Sequence, residues 1–406
     1  MKCQICKSIN VNLLLDYGLY PFFTVPVKID NKDEILKKYN KSQLFGELKY
    51  NVCDDCGHVS IKKIPRQNII DDLYSNYYSY PSPLKGEFEP IRDNYFVETF
   101  NKKINSICKK NKLNSVLEVG CYDGYILYKL KQDGYKVRGC DPSIGAEIGN
   151  SFGIEIDNHF FEPEKYLDIQ KTFDIIISRH FIEHTADPFS FVKNLKSVLN
   201  SDGLLIIETP NIEHFIEKGL LEVFSLQHIT LFTSESLKYL LKKLEMKVIY
   251  TNKESENLIM VAEQSSNIKE SYIKSFSEIN KQFSVRIQNN RRKIKKHINN
   301  YISNNKKIAL WGAGGFGCAA LSLFEIKTEY IDYYIDSDPE KLKMEYLTNS
   351  IQIISPESAL KISPDLIIVA SMYGEGILNI IKKLRFNCTV LKLSPEVKME
   401  TIKFED

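Results

Sequence analysis

The chain has 406 residues, 43% of them apolar and 26% charged, with a net charge of +2. That length exceeds one ordinary core, so two or three globular domains are expected, and the composition argues against disorder or collagen. The near-neutral balance gives no support to a nucleic-acid surface or a strongly acidic partner.

The early apolar stretch "VNLLLDYGLYPFFTVPV" is broken by Asp16 and two prolines, and no charged leader and cleavage site frame it. No run approaches the roughly 18 apolar residues of a membrane span, so a soluble, cytoplasmic protein is expected.

Nine cysteines without a secretory signal argue against a disulfide framework. Cys3, Cys6, Cys53 and Cys56 form two C-x-x-C pairs, "CQIC" and "CDDCGH", and the other five are scattered singly as small buried hydrophobes would be. Each pair sets two thiolates on one tight turn, and two such turns supply the four soft tetrahedral ligands that suit zinc. With no position left for water, the metal would be structural, Gly57 would serve the sharp turn, and His58 would be superfluous as a ligand. A hairpin or small sheet would fill the long gap between the pairs. Unmetallated or redox cysteines are the alternative, but neither pair has the βαβ setting of a redox site.

The stretch "DLYSNYYSYPSPLKGEFEP" cannot form a regular amphipathic helix. It reads as a linker packed on a neighbour or as a lid whose tyrosines cover a pocket, with Tyr77 and Tyr80 as candidate substrate contacts. A helical pattern follows from about 91 to 111. Strand and helix signals then alternate: "SVLEVGC", "GYILYKLKQDG", "KVRGCDPS", "FDIIISRH", "DPFSFVKNLKSVL", "GLLIIETP". This predicts a mostly parallel sheet with helices on both faces.

In "VLEVGCYDGYIL" a buried strand ends at Glu118, turns at Gly120 and enters a helix near Gly124. Gly120 lets backbone approach a ligand and Gly124 allows close helix–strand packing. The middle glycine of a dinucleotide fingerprint is missing, since Tyr122 and Asp123 fill the turn, so a pyrophosphate would approach poorly. Asp141 ends the next strand, 21 residues after Gly120, where an acid accepts hydrogen bonds from ribose hydroxyls. An adenosine ligand without phosphates fits this pair of acids. S-adenosylmethionine (SAM) is such a ligand, with Glu118 near its positively charged methionine end. A nucleotide-free α/β domain is the bland alternative.

His180, Glu183 and His184 in "RHFIEH" invite a metal reading, but they follow a strand and lack the full H-E-x-x-H order. SAM contact or substrate positioning is expected of them instead. From Asn267 a long lysine-rich segment reads as one or two amphipathic helices with a solvated basic face.

From Lys307 a second α/β pattern begins: "KIALWGAG", "YIDYYIDSD", "SIQII", "DLIIVASMY", "CTVLKLSP". Its turn, "WGAGGFG", supplies Gly312, Gly314, Gly315 and Gly317, with Asp336 ending the next strand. That is a fair but lone dinucleotide fingerprint, and no hydride-transfer groups accompany it. The turn could place N–H groups at a substrate diphosphate, bind NAD, or be purely structural.

Together "LEVGCYDGYIL", "GCDPS", "FDIIISRHFIEHTADPFSFV" and "LLIIETPN" resemble the class I SAM-dependent methyltransferases. Nearly the whole chain is similar to the zinc-containing C-methyltransferases of nucleotide-linked 4-keto-6-deoxy sugars, the four-cysteine module being the most specific element. The resemblance implies an α/β protein in three parts: a zinc-binding module (1–70), a SAM methyltransferase domain (71–265), and a helical connector with a Rossmann-like domain (266–406). It implies a SAM site at Glu118, Gly120, Tyr122, Gly124, Asp141 and His180, and a C-terminal domain that encloses a nucleotide-sugar with Gly312, Gly314 and Gly315. The family's tyrosine- and histidine-rich base segment corresponds here to "SLQHITLFT", Ser225 to Thr233. His228 is retained as the base, while Ser225 and Gln227 replace the family's tyrosine and glutamate. Gln227 could still orient the ring, and His184 is a further candidate.

Carbon methylation needs a base to form an enolate, which a neutral histidine suits. Methylation of oxygen or nitrogen, an NAD-linked sugar oxidoreductase, and a binding protein that retains SAM without turnover are the rivals. For His228 itself, a satisfied interface histidine is the plain alternative. A monomer or dimer is expected.

Overall fold

The computed structural model describes residues 2–72, 76, 82–87, 90–167, 172–253, 256–265, 276–371, 374–394 and 397–404. Tyr77 and Tyr80 lie outside the described residues. Among the described residues no helix is long and apolar enough to cross a membrane.

The central sheet has seven strands in the order Met246–Asn252, Asn257–Gln264, Leu199–Pro210, Phe173–Arg179, Ser115–Val119, Lys136–Cys140, Ile156–Asp157. Asn257–Gln264 runs antiparallel to both neighbours and the remaining pairings are parallel. The inner strands are continuous apolar runs, as a sheet covered on both faces requires. The predicted helices form at Tyr125–Gln132 and Pro188–Ser197, the latter started by Asp187, whose side chain accepts from the Ser190 N–H, and by Pro188 in the first turn. The helix expected over 91–111 is one course with a π-helical turn at Phe100–Ile104 between Ile91–Thr99 and Asn105–Lys110.

The predicted C-terminal α/β unit is a six-stranded sheet, parallel except for its last strand, Lys398–Ile402. A 27-residue helix, Ser277–Ser303, precedes it. Behind its glycine turn the helix lies close on the strand, because a Cβ on Gly317 would sit 1.8 Å from the Gly312 carbonyl oxygen.

The N-terminal unit is less self-contained than its sequence suggests. The gap between the cysteine pairs holds Val11–Pro21 paired antiparallel with Phe45–Cys53, and a helix at Ile29–Lys38. The third strand, Val59–Ile61, then pairs antiparallel with Thr230–Leu231, which comes from the distant segment just after His228. A two-residue ladder, Lys28 with Met344 and Val27 with Glu345, joins the same unit to the C-terminal one. The N-terminal unit thus bridges the other two, and a single apolar core cluster runs from Leu14 through Phe224 and Phe283 to Leu391.

Candidate active site

Four sulfurs converge at one end of the N-terminal sheet. Cys3 and Cys56 Sγ are 3.6 Å apart, Cys6 and Cys53 3.5 Å, and all four lie within 4.8 Å of one another. Four thiolates at 2.3 Å from a tetrahedral zinc would stand about 3.8 Å apart, so the cluster fits that ion with little adjustment. The knuckles are built alike: the N–H of Lys7 bonds to the Cys3 carbonyl and that of Gly57 to the Cys53 carbonyl, with positive φ of 64° and 72°. His58 is buried beside the cluster, its Nδ1 4.0 Å from Cys3 Sγ.

The glycine turn after Ser115–Val119 forms as the sequence suggests. Gly120 and Gly124 have φ of 78° and 73°, and a Cβ on Gly120 would meet the Phe181 ring at 2.6 Å. Tyr122 also adopts positive φ, 50°, with its N–H donating to Asp141 at 2.8 Å. Asp141 further accepts from the N–H and hydroxyl of Ser143, so three of its roughly four acceptor sites hold loops together. Its first duty is to fix the turn. Burial pushes the Glu118 carboxyl up to about 8, with Arg179 opposing the rise.

The loop after Phe173–Arg179 carries the histidines. His180 has φ of 48°, a costly value for a non-glycine residue, and its Nδ1 is 3.3 Å from Glu183. Its N–H donates to the Glu208 carbonyl at 2.8 Å. Glu183 is buried, accepts from the Thr209 hydroxyl at 3.1 Å, and is pushed up to about 8 by burial. The structure then brings His228 to this loop. The His184 and His228 rings are in edge contact at 5.1 Å, and Glu183, His184 and His228 each put one donor atom within 4.8 Å of the others.

The His228 ring is fixed in one tautomer, whereas His184 meets the backbone at both Gln227 and His180. His184 Nδ1 faces the Gln227 carbonyl at 2.9 Å and His228 Nδ1 faces the Val223 carbonyl at 2.5 Å. A carbonyl accepts only, so His228 Nδ1 bears the proton and its Nε2 the lone pair. Burial holds both imidazoles below the usual histidine range, His184 at about 3. The orientation expected from Gln227 is thus supplied to His228 by Val223, while the Gln227 amide donates to the Phe22 carbonyl at 3.3 Å.

The segment around His228 is clamped from outside its own domain, which sequence reasoning missed. The Tyr50 hydroxyl lies 2.6 and 2.5 Å from the carbonyls of Ser225 and His228. Tyr20 donates to the Phe224 carbonyl, Ile61 N–H to that of Ile229, and the Thr233 hydroxyl to that of Cys56. Ser394, from the C-terminal unit, holds Glu222 at 2.7 Å, next to Val223. No local signal marks Tyr50, although it lies three residues before Cys53 on the same strand. Tyr50→Phe is expected to cost about 1 kcal/mol of stability and to lower kcat roughly tenfold by misplacing the ring. Its KM for SAM should not move. A lowered melting temperature with kcat intact would reduce Tyr50 to a packing residue.

The second glycine turn lies against the N-terminal unit at Thr24. Gly312 has φ of 118°, the Ala313 N–H donates to Asp336 at 2.8 Å, and Gly314 caps the helix Gly315–Leu323. Asp336 is also paired with Lys341 at 3.0 Å, which neutralises the acid that an NAD ribose would need. A Cβ on Gly315 would stand 3.3 Å from the Thr24 hydroxyl, two residues from the Phe22 carbonyl that Gln227 holds.

Two family models match, the Methyltransferase domain over residues 93–251 and the C-methyltransferase C-terminal domain over 244–386. The chain is 26% identical over 152 residues to the ubiquinone biosynthesis O-methyltransferase of Rhizobium leguminosarum bv. trifolii, covering 35% of this chain and 59% of that protein. It is 30% identical over 131 residues to the protein of that name from Pelagibacter ubique, covering 30% and 54%. The chain thus spans less than two thirds of the length of these curated relatives. Among solved structures, a S-adenosylmethionine-dependent methyltransferase from Clostridium acetobutylicum ATCC 824 is 13% identical, with 43% of this chain and 99% of that one covered and a TM-score of 0.32. The chain therefore carries a match to a methyltransferase domain over 93–251 followed by a match to a C-methyltransferase C-terminal domain over 244–386.

Proposed function

We propose that the protein transfers the methyl group of SAM to a carbon beside the ketone of a nucleotide-linked 4-keto-6-deoxy sugar, with His228 as the base. The observation that carries this is the His228 ring: uncharged, with its Nδ1 proton on the Val223 carbonyl and its Nε2 lone pair left available, on a backbone whose own carbonyl accepts from Tyr50. Glu118, Gly120, Tyr122, Gly124 and Asp141 would hold SAM, with His180 at its flank. Bound SAM supplies an electrophilic methyl group and leaves as S-adenosylhomocysteine. His228 Nε2 takes the proton from the carbon beside the ketone, leaving an enolate carbon for the new C–C bond. His184, in contact with His228, would help seat the sugar. The four cysteines would hold a structural zinc that fixes the sheet from which Tyr50 reaches the base. The turn at Gly312, Gly314 and Gly315, against Thr24, would face the nucleotide diphosphate.

Methylation of a hydroxyl is the second reading, favoured by the relatives' names; the C-methyltransferase match over 244–386 favours carbon. Incubation with SAM and a panel of such sugars in deuterated water decides it. Carbon transfer gives a product one methyl heavier with the new methyl on the carbon beside the ketone, and recovered substrate carries deuterium at that carbon. Methyl gain without exchange, on a hydroxyl by fragmentation, would overturn the carbon assignment.

The pH dependence follows from the same ring. A base must be neutral, and burial lowers the His228 pKa from the ordinary value of about 6.5. The acid limb of kcat/KM should therefore fall below pH 6.5, with activity lost only as pH drops through that lowered value. A limb centred at or above 6.5 would remove His228 from the role.

A further inference from the structure

We propose that Ser394 and Glu222 are positioning residues for His228, through which the C-terminal unit fixes the main-chain carbonyl that decides which ring nitrogen carries the proton. This rests on the reading of His228 as the base. The carbonyl belongs to Val223, in a run buried at Leu220, Leu221, Val223 and Phe224 and interrupted by the half-buried carboxylate of Glu222. A charge among buried apolar side chains is costly unless hydrogen bonds offset it. Here both oxygens are used. Oε1 accepts from the Ser394 hydroxyl at 2.7 Å and Oε2 from the Leu221 N–H at 2.9 Å. Ser394 is itself buried, just past the carboxyl end of the C-terminal strand Cys388–Lys392.

Glu222 and Val223 are the central residues of a tight turn, closed by the Phe224 N–H on the Leu221 carbonyl at 3.0 Å. The closing bond leaves the central pair little freedom, so a tie to the Glu222 side chain also holds the direction of the next carbonyl. The other end of the turn is tied to the N-terminal unit, where the Tyr20 hydroxyl donates to the Phe224 carbonyl at 3.3 Å. Between the two ties the Val223 carbonyl accepts from His228 Nδ1 at 2.5 Å. A neutral imidazole carries its proton on either nitrogen, and the partner selects which. If Val223 shifts, the form protonated on Nε2 competes, and that form has no lone pair on the nitrogen that serves as base.

The test is nuclear magnetic resonance on the full chain, with histidine labelled by the heavy nitrogen isotope, at neutral pH and without ligand. His228 is identified by the signals lost in His228→Ala. In the wild type its two ring nitrogens should be well separated, one protonated and one bare. In Ser394→Ala they should move toward a common average. On the nucleotide-linked sugar that the wild type methylates, kcat should fall about tenfold with KM for SAM within about twofold. Ser394→Thr, which keeps the hydroxyl, should restore both readouts. Glu222→Ala cuts the same link from its other side, and the double variant should lose no more than the worse single one. Wild-type ring signals in both Ser394→Ala and Glu222→Ala overturn the proposal whatever their stability, as do losses that add in the double variant. Unchanged turnover in His228→Ala instead brings down the base reading, and the role given to Ser394 with it; the ring signals tell the two failures apart.

Discussion

His228→Ala is expected to lower methyl transfer by about 10²- to 10⁴-fold, the usual contribution of a positioned general base, with SAM affinity changed by no more than about twofold. The reasoning is geometric. Val223 fixes the proton on Nδ1, so only Nε2 can accept one, and no residue is placed to replace it in kind: His184 has its own Nδ1 committed to Gln227. Its pKa, held at about 3, also makes it a much weaker base than an ordinary histidine. Solvent-deuterium exchange beside the ketone is the sharper readout, because it reports proton removal even when transfer is blocked by using S-adenosylhomocysteine in place of SAM. Exchange should vanish in His228→Ala and also in His228→Gln, which keeps a polar side chain without a base. Truncation leaves a cavity beside His184 and costs some stability, so the melting temperature is measured alongside. Wild-type exchange in His228→Ala would assign the base elsewhere, Glu183 being the next group to examine.

Metal removal should have the second large effect. Structural zinc sites supply about 10–16 kcal/mol of apparent binding free energy in small modules, far more than the two short ladders that join this unit to its neighbours. Purified protein should carry one zinc per chain, and Cys53→Ser should lose zinc and soluble yield together. Where chelation leaves a folded remainder, the coupling drawn here makes a finer prediction. Phe45–Cys53 carries Tyr50 and pairs with Val59–Ile61, which in turn holds Thr230–Leu231 beside His228. Turnover should therefore collapse before SAM binding does, since the residues around Gly120 and Asp141 lie on the central sheet. Full activity in a metal-free protein, by elemental analysis, would overturn both the zinc and its link to the base.

These effects fall on residues of unequal legibility. The central parallel strands of both α/β units were readable because buried parallel strands are continuous apolar runs separated by polar helices, whereas Ile156–Asp157, Met246–Asn252, Asn257–Gln264 and Lys398–Ile402, short or at the antiparallel edges, were not named. The cysteine pairs and the positive-φ turns at Gly57, Gly120 and Gly124 were readable too, since tight turns and soft ligands demand particular residue types at fixed spacing. His228 could be picked out, and so could the neighbourhood of His180 and Asp141. Three things were decided elsewhere. The strand partner of Val59–Ile61 comes from residues 230–231, a pairing two residues long that carries no periodic signal of its own. The ring of His228 is oriented by a main-chain carbonyl rather than by Gln227, and a carbonyl leaves no trace in side-chain identity. The Tyr50 hydroxyl reaches the His228 carbonyl only because a strand of the N-terminal unit lies against the segment that carries His228. Sequence by itself determined the local elements, the turns and the ligand chemistry, all set by neighbouring residues. The tertiary structure alone decided which hydroxyl and which carbonyl meet His228, because Tyr50 lies 178 residues away and the Val223 carbonyl, though five residues away, is aimed at the ring by the fold of its loop.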